Sequence, residues 1–135
     1  MLDMVKEAER ELIDYPEYSG GYYVKRILKQ ICGRKVSPVD RFNWPNGLLA
    51  KALADYYQDH KNSEEARVIL DVLKKYYDRW IAGKCRMYYL DDAVSGMALI
   101  DLHQITGEEK YKKAADRIAE YLFHHETDGG GNLPY

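Results

Sequence analysis

The chain has little of what marks the specialised classes of protein. Two cysteines in 135 residues, Cys32 and Cys85, stand apart with no Cys-x-x-Cys and no matching histidine spacing. That excludes a disulfide-built scaffold or a zinc ribbon and leaves reduced structural thiols. No apolar run is long enough to span a bilayer, and the N-terminal Met-Leu-Asp-Met-Val-Lys-Glu-Ala-Glu-Arg is charged where a signal peptide would be apolar. The expected location is therefore cytoplasmic. An excess of one charge is missing too: 20 basic residues stand against 22 acidic ones, for a net charge of -2. Because the two signs are intermixed, there is no basic stripe for phosphates and no polybasic arm, so neither nucleic acid nor membrane is an expected partner.

Phenylalanine and tryptophan are scarce at two each, whereas tyrosine occurs thirteen times. Tyrosine offers an apolar face with a polar end, which suits half-buried helix packing and, in a wet groove, the holding of sugars. Packing accounts for most of the thirteen. Tyr88 and Tyr89 are the exceptions, because they lead directly into two adjacent carboxylates, Asp91 and Asp92.

Hydrophobic periodicity predicts an all-α chain. Leu48, Leu49, Ala52, Leu53 and Tyr56 form one stripe, and Val68, Ile69, Val72, Leu73, Tyr76 and Trp80 a second. Met97, Ala98, Leu102 and Ile105 form a third, and Tyr111, Ala114, Ala115, Ile118 and Leu122 a fourth. Two further helices are expected near 2–14 and 22–32, separated by Pro16 and Gly20-Gly21, with a loop from Gly33 to Pro45. Thr106 with Glu109, and Asn62 with Glu65, have the spacing of capping boxes.

The helices repeat in pairs. Ala52-Leu53-x-Asp55-x-x-Gln58 recurs as Ala98-Leu99-x-Asp101-x-x-Gln104, an offset of 46 residues (98 − 52), and the same offset lays Val68, Ile69 and Val72 on Ala114, Ala115 and Ile118. A period of this size marks stacked helical hairpins. One domain over residues 1–135 is expected, built as three antiparallel hairpins.

Among candidate chemical groups, Asp91 and Asp92 stand where a helix begins. One of them is expected to cap it; the other is then unexplained. His124-His125-Glu126 has the look of a ligand cluster, but adjacent helical residues point about 100° apart, so no metal is expected. Asp128-Gly129-Gly130-Gly131-Asn132 follows a helix and reads as a C-cap and turn, not a phosphate loop. His60 and His103 lie near helix ends, as capping or solvated histidines do. No cofactor is called for.

Leu90-Asp91-Asp92-Ala93-Val94-Ser95-Gly96, Thr106-Gly107-Glu108-Glu109-Lys110-Tyr111 and Gly131-Asn132-Leu133-Pro134-Tyr135, in that order, resemble the unsaturated rhamnogalacturonyl hydrolases of glycoside hydrolase family 105, relatives of the family 88 unsaturated glucuronyl hydrolases. Trp44-Pro45-Asn46-Gly47-Leu48-Leu49 resembles the start of an inner helix in that family. The resemblance implies an (α/α)6 toroid, of which this chain would be the N-terminal half, and a substrate carrying a terminal C4=C5-unsaturated uronic acid. It implies that Asp91 is the first active-site aspartate, in a supporting role, which leaves Asp92 as the cap. Trp44 would stack on a sugar or anchor the core, Asn46 would bind hydroxyls, and Tyr88 would face the groove. Tyr135 falls where several relatives have His. The family's general acid and base lies in a Trp-x-Asp segment after the Gly-x-Leu-Pro stretch, beyond Tyr135. A homo-oligomer or a complementing C-terminal half is the expected partner. Rival readings are a non-catalytic helical-repeat module that binds sugar or protein, and another (α/α)6 enzyme such as a sugar epimerase.

Overall fold

The computed structural model describes residues 2–13, 20–33, 42–87 and 90–124, and every regular element within them is helical. In chain order these are α1 (Leu2–Leu12), α2 (Gly20–Ile31), α3 (Trp44–Asp59), α4 (Glu64–Ala82), a 3₁₀ helix (Leu90–Gly96), α5 (Met97–Thr106) and α6 (Glu109–Phe123). The chain is all-α. Helices α3 and α4, and α5 and α6, are joined by short connections and pack on each other as antiparallel hairpins, while α3 also packs on α5. Helix α1 lies against α3 and α4 through Val5, Ala8 and Leu12.

The stripes of α4 and α6 face the core as predicted. Ile69, Val72, Leu73, Tyr76 and Trp80 are buried, as are Tyr111, Ala114 and Ile118. On α3 and α5 the predicted face is found only in part: Leu53, Ala98 and Leu102 are buried as expected, and Leu49 and Tyr56 pack partly buried against the core. Leu48, Ala52 and Met97 are exposed, and the buried residues are Asn46, Gly47, Ala50, Leu53 and Ala54 on α3 and Ala98, Leu99 and Leu102 on α5. These two helices are apolar around most of their circumference, so periodicity does not single out one side.

Helix starts differ in detail from the predicted caps. Ser63, not Asn62, caps α4 by accepting from the Ala66 N–H at 3.1 Å. Thr106 is the last residue of α5; its hydroxyl donates to the Leu102 carbonyl at 2.7 Å and accepts from the Glu108 N–H, so it closes one helix instead of opening the next. The expected loop ends earlier than Pro45, because Asn43 is the N-cap of α3 and Pro45 occupies its first turn, where its missing N–H costs nothing. His60 is the C-cap of α3, with its ring stacked on Tyr56.

Exposed apolar side chains gather on α2, where Val24, Ile27, Leu28 and Ile31 share one helical face, and on α3 and α5, where Trp44, Leu48, Met97 and Ile100 are about half exposed. No helix among the described residues is long and apolar enough to cross a membrane. Cys32 and Cys85 are free thiols, and burial pushes the Cys85 thiol up.

Candidate functional site

The site is assembled where the 3₁₀ helix is docked on the first turn of α3. Asn43 starts the arrangement: its side-chain oxygen accepts from the Asn46 N–H at 3.0 Å, and its carbonyl accepts from the Gly47 N–H at 2.9 Å. The same carbonyl accepts from the Ser95 hydroxyl at 3.0 Å, which ties the 3₁₀ helix to the α3 cap. Gly47 permits the close approach. A Cβ built on it would stand 2.6 Å from Ser95 Oγ and 2.7 Å from the Ser95 Cα and N, so any other residue here would push the two elements apart.

A second tie comes from α4. Tyr77, fully buried, donates its hydroxyl to the Ser95 carbonyl at 2.6 Å. Burial raises the Tyr77 pKa well above the ordinary phenol value, so the group remains a donor at every physiological pH. On its other side the 3₁₀ helix meets α6, where Gly96 lies against Ile118. The short turn carrying both aspartates is thus held by three helices.

Within this frame Asp91 is exposed and Asp92 is 3% exposed. The expected capping role of Asp92 is not found. The N-cap of α5 is Gly96, with no side-chain cap bond, because a turn of 3₁₀ helix intervenes between the aspartates and α5. Asp92 is a buried carboxylate that does not serve as the N-cap of α5, which makes it a candidate functional group. It lies on a turn docked against the first turn of α3. Asn46 is also buried, at 8% exposure, one turn into α3. Trp44 is 51% exposed, which removes its reading as a core anchor and leaves a half-exposed indole at the mouth. Packing of the 3₁₀ helix on α3 therefore brings the segments of Trp44, Asn46 and Asp91 together; Tyr88 and Tyr135 lie outside the described residues.

Asn43, Ser95 and Tyr77 were not singled out from the sequence. Asn43 before Trp-Pro is a readable cap signal, but Ser95 and Tyr77 act through a tertiary contact that no local pattern announces. Among the described residues no group of three His, Cys, Asp or Glu is placed to hold a metal ion, and His125 and Glu126 lie outside them.

The family model for Glycosyl Hydrolase Family 88 matches residues 22–132, and the chain belongs to that family. It is similar to the unsaturated rhamnogalacturonyl hydrolase YesR of Bacillus subtilis (strain 168), with 25% identity over 101 residues that cover 75% of this chain and 28% of the relative. The chain thus spans under a third of the length of the curated relative it matches. No solved structure matches it.

Proposed function

We propose that the chain contributes to the hydrolysis of unsaturated uronyl oligosaccharides, with rhamnogalacturonyl units from pectin as the substrate class, in the cytoplasm. Family membership and the similarity to an unsaturated rhamnogalacturonyl hydrolase support this reading. The single observation that carries it to particular residues is the docking of the aspartate-bearing 3₁₀ helix on the Trp44–Asn46 turn.

In the proposed reaction a carboxylic acid protonates C4 of the enol ether, C5 takes on oxocarbenium character, and one water adds there after giving up a proton. The C5 hemiketal that results opens to a ketone, and the hemiacetal left at C1 collapses to an aldehyde as the neighbouring sugar leaves with the glycosidic oxygen and a proton, as an alcohol. Asp91, the aspartate that solvent can reach, is assigned the contact that orients the unsaturated ring or supports the proton-transferring acid. Trp44 offers an aromatic face to a sugar, and Asn46, Tyr88 and Tyr135 are assigned as binding residues. Asp92 positions the turn from beneath.

The test is the disappearance of enol-ether absorbance on mixing with an unsaturated rhamnogalacturonyl disaccharide, comparing the natural chain with Asp91→Asn and Asp92→Asn. Loss of turnover in one or both variants at unchanged stability supports the reading. Turnover that survives both removes the aspartates from the chemistry.

A further inference from the structure

The repeated motif Ala-Leu-x-Asp-x-x-Gln plays no part in the site above, and the structure gives its two copies a common location. Helices α3 and α5 run side by side in the same direction: Gly47 meets Ser95, Lys51 pairs with both Asp55 and Asp101, and Gln58 lies 3.5 Å from Asp101. One period apart in sequence, Gln58 and Gln104 arrive together at the C-terminal ends of these helices. With Tyr57, Lys61 and Ile105 they line an open cleft of about 310 Å³. That is the lower end of the size range of small-molecule sites. Gln58, Lys61 and Gln104 are exposed, so none of the three contributes to the core.

The lining chemistry selects a ligand class. Gln104 presents two N–H donors and an acceptor, and Gln58, one N–H of which donates to Asp101, keeps a donor and an acceptor, so the pair can grip hydroxyls from either sense. Tyr57 and Ile105 supply apolar surface of the kind that the C–H face of a pyranose covers. Charge then decides between a neutral sugar and an acidic one. Two helix C-termini contribute roughly half a negative charge each, and the one positive charge of Lys61 is set against that of the exposed Asp59 at the end of α3, so the cleft has no excess positive charge to attract a carboxylate. Asp101, which Gln58 approaches at 3.5 Å, is already paired with Lys51 at 3.2 Å.

We propose that this cleft is a binding site for a neutral, hydroxyl-rich saccharide unit, at the end of α3 and α5 opposite the aspartates. It shares no residue with the 3₁₀ helix or the first turn of α3, and so does not depend on the reaction proposed above.

The experiment is an NMR titration of the intact chain that follows the side-chain amides of Gln58 and Gln104 and the indole N–H of Trp44. The probes are methyl galactopyranoside and its C6-carboxylate counterpart, methyl galactopyranosiduronate. The expected result is a saturable shift of both glutamine amides with the neutral glycoside and several-fold weaker binding of the uronate. In the double variant Gln58→Ala/Gln104→Ala affinity should fall about tenfold, equivalent to the loss of one or two hydrogen bonds. Shifts confined to the Trp44 indole would overturn the cleft assignment while leaving the proposed function standing. Tighter binding of the uronate at the glutamines, or no shift at either end, would also overturn it.

Discussion

Gly47 and Ser95 touch backbone to backbone, with no room for even a methyl group between them. Gly47→Ala should therefore lower stability by about 1–3 kcal/mol, the usual cost of overpacking, and should displace the aspartate turn. Chemical denaturation measures the first effect. Ser95→Ala, which removes one hydrogen bond without adding volume, should cost about 1 kcal/mol and serves as the comparison.

Tyr77→Phe keeps the ring and removes only the donor to the Ser95 carbonyl. The Ser95 carbonyl then loses this donor, at a cost of about 1 kcal/mol. The loss should be uniform from pH 5 to pH 9, because the phenol is held protonated across that range. A loss that appeared only toward alkaline pH would contradict this assignment.

The two aspartates should separate by assay. Asp91→Asn alters an exposed side chain and should leave the melting temperature unchanged while weakening sugar binding. Asp92→Ala empties a buried polar position and should cost about 1–3 kcal/mol. Calorimetric titration and melting of both variants decide the matter, and the reverse pattern would transfer the substrate contact to Asp92.

At the α4–α6 junction Glu108 pairs with Lys74 at 2.8 Å and with Lys110 at 3.0 Å, and hydrogen bonds from these lysines hold its carboxyl below the ordinary value of 4.5. A carboxyl whose pKa is lower in the folded chain stabilises above its unfolded pKa and loses that contribution as pH falls through the folded value. Stability should decline as pH drops below about 4.5, and Glu108→Gln should flatten that decline. Melting curves across pH 2 to 6 measure it. Lys110 also pairs with Asp78 at 2.8 Å, which raises its pKa and confines the loss of its own contribution to strongly alkaline solution.

Leu48 on α3, with Met97 and Ile100 on α5, leaves apolar surface uncovered on two neighbouring helices. Self-association at micromolar concentration is expected, because such patches are seldom left bare. Sedimentation velocity should show it, and the double variant Leu48→Lys/Ile100→Lys should sediment as a monomer.

Legibility in the sequence followed how one-sided each helix is. Helices α4 and α6 bury one face and expose charge on the other, so Ile69–Trp80 and Tyr111–Ile118 could be read directly. Helices α3 and α5 carry apolar residues on nearly all sides, so periodicity points Leu48, Ala52 and Met97 inward whereas the core takes Ala50, Ala54 and Leu99. The aspartate pair was visible as carboxylates before a helix, but its environment was not. Whether Asp92 caps a helix or lies buried depends on a 3₁₀ turn shaped by Asn43 and Gly47, about fifty residues earlier, and by a Tyr77 hydroxyl on another helix. Local pattern has no access to contacts of that range.

The placement of the two tryptophans makes the chain its own optical instrument. Trp80 is buried, its ring stacked on Phe42 at 3.8 Å and its N–H bonded to the Arg86 carbonyl, whereas Trp44 meets solvent at the mouth of the candidate site. Their emission should therefore separate into a blue component from the core and a red one from the mouth. A quencher dissolved in water would silence Trp44 first, so unfolding and ligand contact can be followed in one sample without any added label.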